Sequence, residues 1–416
     1  MPTLIYWKKQ YMVKKMNNLP WGTDENLDEN QFYNRNETID LLSNLLNSSQ
    51  YGSTPSILLT GVRGVGKTVL MKKIQSMFEN EFLVIYINLR NVDAYQDNKL
   101  DRLSIMKLIY KSIIISSQKA GLNTLTKKIE KYLKTNNFKV DKILSYEKIP
   151  IPIISSEIDY PNFADFVMNL PQKIYEEYDD KIKGVFIFID EFQVLKELDG
   201  DLNSFLWFLR NTIQSQKNVA YMISGSMSLK DRFIEQVNGK KGAFGGRMLT
   251  IDIEEFSFET TRNYLSEKAP ELKFTEDGFE RFYLCSQGIP YMINTLAKFL
   301  PTNVEISKEI VKEVYIKSLN ILANQDIESW FNLTRQEQNI ITVLMEKPLR
   351  RIDLANKLGV TSGSISNQLN KLEDLMFIEI NDEKKYSACD SVFKVWLNRH
   401  YEKYGFYPHK YSLNLD

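Results

Sequence analysis

Apolar residues along the chain change their period, and the changes divide it into stretches. Phe32, Ile39, Leu42 and Leu45–Leu46 recur at helical spacing, which predicts a helix starting near Glu37. Short apolar runs then follow at Ser56–Thr60, Phe82–Leu89, Val185–Ile189, Val219–Ile223 and Leu249–Ile253. Between them lie helical patterns at Thr68–Glu79, Leu103–Ala120, Thr126–Lys134, Phe163–Tyr178 (despite Pro171), Leu202–Gln216 and Leu229–Val237. A continuous run such as Val185-Phe-Ile-Phe-Ile189 suits a strand buried on both faces, and strands alternating with helices imply βαβ units in a parallel sheet. Ile149 to Ile158 carries Pro150 and Pro152, which bars it from being a central helix or strand.

After about Glu255 the pattern turns wholly helical: Glu259–Leu265, Glu276–Ser286, Tyr291–Phe299 and Ser307–Ala323. A last stretch predicts helices at Arg335–Met345, Ile352–Leu358 and Ser362–Leu375. A hairpin follows, Phe377–Ile380 with Lys385–Ala388, across Asn381–Asp382. The domain reading is a polar, Asn-rich arm at 1–30, an α/β core at 31–255, a small all-α unit at 256–328 and a C-terminal unit at 329–416.

Composition narrows the chemistry. Across 416 residues, 53 Lys+Arg balance 53 Asp+Glu, so any nucleic-acid surface must be local. The two histidines, His400 and His409, lie close to the C-terminal end, which excludes a His/Cys metal cluster or a Ser–His–Asp triad in the body of the chain. Cys285 and Cys389 stand alone, consistent with a reducing cytoplasm. No apolar run reaches the ~18 residues of a membrane span. The first 20 residues carry Lys8, Lys9, Lys14 and Lys15 without an apolar core, unlike a signal peptide, and Met12 or Met16 is an alternative start.

The sharpest chemical feature is Gly61-Val62-Arg63-Gly64-Val65-Gly66-Lys67-Thr68, a complete G-x-x-x-x-G-K-[ST] between a predicted strand and a predicted helix. Glycines let backbone N–H groups close on a phosphate at a helix N-terminus, Lys67 neutralises phosphate charge, and the Thr68 hydroxyl suits Mg²⁺. Val69 continues that loop into the helix. Asp190-Glu191 directly follows the most apolar run: Asp190 is placed to hold Mg²⁺ and Glu191 to polarise an attacking water. Val219–Ile223 ends in Ser224-Gly225-Ser226. A strand inserted between those of the Gly-rich loop and of Asp190 brings a polar side chain to the γ-phosphate, Ser224 first and Ser226 second; capping serines of a strand-end turn are the other reading. Arg247, after Gly245-Gly246, fits an arginine finger toward a neighbouring molecule, a contact with a neighbouring domain or a solvated Arg.

These motifs together resemble the AAA+ ATPases of the archaeal-type/STAND branch, near the origin-recognition-like initiator ATPases. Phe32-Tyr33-Asn34-Arg35-x-Glu37 resembles the box that contacts the adenine, with Asn34 where Gly is usual. Phe256-Ser257-Phe258-Glu259 resembles the start of the helical lid, and Gly288-Ile289-Pro290-Tyr291 its Gly-x-Pro signature. The resemblance implies a P-loop NTPase with a parallel sheet and helices on both faces, a small helical lid and a winged helix-turn-helix domain. It also implies nucleotide contacts from Asn34, Arg35, Gly61 to Val69 and Pro290, catalytic roles for Lys67, Glu191, Ser224 and Arg247, and Mg²⁺ on Thr68 and Asp190. Tyr291–Phe299 lacks the Arg that many such lids carry, which points to a slow switch.

In the C-terminal unit, Ile352–Leu358, a Gly359 turn and Thr361 to Leu372 have helix-turn-helix spacing. Ile365, Leu369 and Leu372 face the core; Ser362, Ser366, Asn367, Asn370 and Lys371 face outward; Lys384–Lys385 sit on the wing. Yet from Thr334 to Asp416 there are 12 Lys+Arg against 11 Asp+Glu, and phosphate neutralisation dominates DNA affinity. Two functional readings follow. One is a cytoplasmic Mg·ATP switch that binds and hydrolyses ATP and engages double-stranded DNA, a protein partner or further copies of itself. The other is a defence-type or protein-interaction ATPase without nucleic acid.

Overall fold

The computed structural model describes residues 19–21, 27–28, 31–92, 100–122, 124–125, 127, 129, 140–146, 149–154, 160–225, 232–381, 383–389 and 392–409. The expected helix at Thr126–Lys134, the second-choice Ser226, Asp382 of the hairpin turn and the basic leader fall wholly or mostly outside them. The chain forms two compact units, one of residues 23–256 with 289–291, the other of residues 1–22, 257–288 and 292–416.

The first unit is built on a parallel sheet whose strands are β1 (Ser56–Thr60), β2 (Leu83–Asn88), β5 (Val185–Asp190), β6 (Val219–Ser224) and β7 (Leu249–Asp252), in the order β2-β5-β6-β1-β7. All six residues of β5 and of β6 are buried. Their side chains alternate: Phe186, Phe188, Ala220 and Met222 face one core, and Ile187, Ile189, Tyr221 and Ile223 face the other. Helices α1 (Asn36–Asn47) and α2 (Lys67–Phe78) fill the first face with Leu42, Leu46, Leu70 and Ile74. On the second face are α3 (Arg102–Lys119), α4 (Tyr160–Glu177) and α5 (Leu202–Ser215). Each fully buried Phe or Ile contributes about 2 kcal/mol by removal from water, which explains why two-sided burial selects uninterrupted apolar strands. Helix α6 (Arg232–Asn238) precedes β7.

Between α3 and α4 the chain forms an antiparallel ribbon, β3 (Val140–Tyr146) and β4 (Ile149–Ile154). The two prolines exclude β4 from the main sheet but not from strand structure. In a two-stranded ribbon each strand keeps a free edge, where a missing N–H removes no ladder bond.

The second unit contains α7 (Phe258–Lys268), α8 (Glu276–Ser286), most of α9 (Pro290–Ala297), α10 (Lys308–Leu322) and α11 (Asn324–Asn332). It continues through α12 (Arg335–Glu346), β8 (Leu349–Arg350), α13 (Arg351–Leu358), α14 (Ser366–Asp374), β9 (Ile378–Ile380), β10 (Lys385–Ala388) and α15 (Val392–Tyr404). The three strands form an antiparallel sheet in the order β8-β10-β9. Ile365, Leu369 and Leu372 are buried, as their spacing predicts. Trp330 of α11 joins this core with Phe393 and donates its Nε1–H to the Pro408 carbonyl at 2.7 Å. Helix α14 begins four residues later than its apolar pattern suggests, because 362–365 form a turn. Among the described residues, no helix is long and apolar enough to cross a membrane.

Candidate nucleotide site

At the C-terminal end of β1 the chain enters Gly61–Gly66. Gly61 has φ 133, and a Cβ there would stand 2.5 Å from the Ile253 carbonyl oxygen; at Gly64, with φ 82, it would stand 2.7 Å from Tyr291 Cβ. Both positions therefore require glycine sterically. Val65 is buried in the core beneath the loop, Val62 and Val69 are half-buried, and Arg63 is exposed. Gly66 caps α2, a twelve-residue helix whose free N–H groups and dipole favour an anion at this end.

Lys67 is 7% exposed and donates through Nζ to the carbonyls of Gly61 (2.7 Å) and Val62 (2.9 Å). Burial lowers its pKa to about 8, although Asp190, Glu191 and Asp252 act to raise it. An anion placed beside it would oppose that lowering.

Asp190 ends β5 and is buried. Its Oδ2 accepts from Thr68 Oγ1 (2.6 Å) and Tyr86 Oη (2.8 Å), and its Oδ1 from Ser224 Oγ (2.5 Å) and the Glu191 N–H (2.9 Å). The topology explains the meeting: β6 lies between β5 and β1, with Ser224 level with Leu59, so Ser224 stands between the loop and Asp190. A hydroxyl and a carboxylate in direct contact, both hard oxygen donors, fit Mg²⁺.

Glu191 has left-handed backbone, φ 58. Its Oε2 accepts from Gln193 Nε2 and is ion-paired with Arg90 Nη2 at 3.1 Å. Thr60 Oγ1 also donates to Asp252 Oδ1 at 2.5 Å, tying β1 to β7 at the loop's base.

Ahead of α1, Asn34 and Arg35 have φ 62 and 73. Asn is the non-glycine residue best suited to that region, which accounts for its presence where the related box carries Gly. Arg35 donates to the carbonyls of Glu254 (2.5 Å) and Val65 (3.4 Å) and lies 5.1 Å over the Phe256 ring. Burial lowers its pKa, with Glu254 and Glu255 opposing. Pro290 opens α9, and the next residue, Tyr291, donates its N–H to the Gly64 carbonyl at 3.1 Å.

Arg247 lies elsewhere. It precedes β7 at the opposite end of the sheet, at least four residues of strand (about 13 Å) from the loop. There it donates to Gln214 Oε1 at 3.2 Å and lines a 250 Å³ cavity with Ile213, Phe244 and Leu249. The structure thus gathers Lys67, Thr68, Asp190, Glu191 and Ser224, and does not bring Arg247 to them. Tyr86, Arg90 and Gln193 are additions that sequence reasoning missed. Only Gln193, two residues past Glu191, carried a local signal.

In the other unit, Asn367 and Lys384 are exposed and Ser362 is half-buried. Lys371 is ion-paired with Glu337 Oε1 at 2.9 Å, and Lys385 with Glu383 at 2.6 Å. These contacts already neutralise two of the cations expected to meet phosphate.

An ATPase domain described as predominantly archaeal matches residues 32–296. Among solved structures, a Walker-type ATPase of Pyrococcus abyssi shares the fold with TM-score 0.60 at 16% identity, over 92% of this chain and 99% of that one. The ORC2 protein of Aeropyrum pernix, in ADPNP–ADP complexes, aligns at TM-score 0.49 and 11% identity (95% and 98% covered). Cdc6p of Pyrobaculum aerophilum aligns at 0.44 and 14% (89% and 93%). No curated protein matches the sequence.

Proposed function

The chain belongs to the ATPase domain family found predominantly in Archaea, and from that premise we propose that it is a slow, Mg·ATP-dependent molecular switch. The observation that carries this reading is the Thr68 hydroxyl on the Asp190 carboxylate, 2.6 Å apart, directly after Lys67 in the Gly-rich loop. Lys67 leaves its two loop carbonyls for the phosphates, and the α2 N–H groups cradle them. Thr68 and Asp190 would hold the cation, and Mg²⁺ when bound would supply neutralisation of phosphate charge. Ser224, freed from Asp190, reaches toward the terminal phosphate. Asn34, Arg35 and Pro290 border the purine side.

Glu191 is the base that orients water. The Arg90 ion pair and the Gln193 hydrogen bond hold its carboxylate, so it must be released before it can act, which supports slow turnover. Helix α9 starts in the unit that carries the Gly-rich loop and runs on into the other unit, a covalent route for reporting nucleotide state. In this reading 256–328 is the lid, 329–416 is a winged helix that engages a partner, and Arg247 acts on a neighbouring copy. The paired Lys371 and Lys385 favour a protein partner over DNA as the principal contact.

Nucleotide binding and steady-state hydrolysis test the proposal. Lys67→Ala is expected to lose tight ATP binding, and Glu191→Gln to retain binding while turnover falls at least 100-fold. Wild-type turnover by Glu191→Gln would sink the mechanism.

A further inference from the structure

Asp190 receives one hydrogen bond that the nucleotide motifs do not supply. Tyr86, on β2, donates its hydroxyl to Asp190 Oδ2 at 2.8 Å, the same oxygen that accepts the Thr68 hydroxyl at 2.6 Å. Strand pairing places it: Tyr86 is level with Phe188, and Asn88 with Asp190, so the Tyr86 side chain lies one pleat behind the carboxylate, against the core that also holds α2. Lys72, one helical turn beyond Thr68 on α2, sets its ammonium 3.8 Å from the centroid of the Tyr86 ring. Helix α2 thus provides both the hydroxyl that shares Oδ2 with Tyr86 and the cation that fixes the plane of the phenol.

We propose that Tyr86 is a positioning residue for the divalent cation: it holds the Asp190 carboxylate in its ligating orientation when Thr68 turns its hydroxyl from Asp190 to the metal. This rests on the Mg·ATP reading above. Without the phenol, a carboxylate 2% exposed loses the Oδ2 donor that persists once Thr68 has moved. It is then free to rotate, or must keep Thr68 away from the cation. Outer partners that orient ligating carboxylates are worth about 10- to 100-fold in metal affinity. Tyr86→Phe removes the hydroxyl and little else, because the ring stays against the same neighbours.

The test is a Mg²⁺ titration of ATP binding by the full-length chain, followed with a fluorescent ATP analogue or by calorimetry. Tyr86→Phe is expected to raise the Mg²⁺ concentration at half-saturation about tenfold. Its nucleotide binding in EDTA and its nucleotide-free thermal midpoint should stay close to wild type. Lys72→Met, which leaves the phenol but frees its ring, is expected to shift the midpoint the same way by less. It serves as the second measurement if Tyr86→Phe proves poorly folded. A Mg²⁺ midpoint equal to wild type in both variants overturns the role of Tyr86 while leaving the ATPase reading intact. Equal weakening with and without metal also overturns it, since the defect is then not in metal positioning. A wild-type chain whose ATP binding shows no dependence on Mg²⁺ overturns both.

Discussion

At the scale of single residues, the site is held by groups that occupy one another. Lys67 binds its own loop, Asp190 accepts four hydrogen bonds, and Glu191 is held by Arg90 and Gln193. Glu191 also sits in left-handed backbone, which costs about 1 kcal/mol and is maintained by those contacts. A partly exposed ion pair is worth about 1 kcal/mol, so Arg90→Met is expected to raise turnover about fivefold with the ATP dissociation constant nearly unchanged. Single-turnover and steady-state hydrolysis would check this, and a rate at or below wild type refutes the restraint. Asn34 offers a backbone test. Asn34→Gly should leave stability close to wild type, whereas Asn34→Val, β-branched at φ 62, should cost about 1–2 kcal/mol in urea unfolding.

Single elements show where local pattern and packing part. Helix α12 opens with a capping box: the Glu337 N–H bonds the Thr334 hydroxyl, and the Thr334 N–H bonds the Glu337 carboxylate. Burial pushes the Glu337 carboxyl up, but the Lys371 ammonium and the Thr334 donors together outweigh it and lower its pKa. A carboxyl lowered on folding stabilises the protein above its unfolded pKa, and that contribution disappears as pH falls through the folded value. Glu337→Gln should therefore be less stable than wild type by about 2 kcal/mol at pH 7. The gap should narrow as pH falls below the ordinary carboxylate range and through the lowered folded value, as thermal melts in acid would read. A gap that does not change with pH would mean that the Lys371 pair contributes nothing. The same pair balances the charge of the one cation of α14, whose side chain remains exposed.

At the scale of the whole molecule, neutrality and the two-unit division bear on what the protein engages. The boundary between the units falls within α9, and the Tyr291 N–H on Gly64 joins the start of that helix to the Gly-rich loop of the same unit. Substituting Gly64 by Ala at φ 82, with Tyr291 Cβ 2.7 Å away, should weaken ATP binding at least tenfold. With Mg·ATP, Glu191→Gln is expected to retain a stoichiometric protein partner through nuclease treatment, and Lys67→Ala to retain none. Recovery of DNA alone, with a steep salt dependence lost in an Asn367/Lys371/Lys384 triple alanine variant, would reverse the choice of partner.

The sequence by itself determined the five parallel strands, the Gly-rich loop, Asp190-Glu191 and the buried face of α14. Each depends on neighbours within one or two turns: apolar period, glycine at positive φ, a polar residue at a strand end. The insertion of β6 between β5 and β1 was expected from the sequence and is observed. Only the tertiary structure decided that Tyr86 and Arg90 reach the two carboxylates from β2 and its end, and that Lys371 is spent on Glu337. It also decided that Pro150 and Pro152 are carried by a ribbon outside the sheet, and that Arg247 stands at the sheet's far end. These contacts join residues from 2.8 to 3.1 Å apart in space but 34 to 104 apart in sequence. Their partners are selected by strand order and by which side chains the pleat turns the same way, and a linear pattern of hydrophobic and polar positions carries neither.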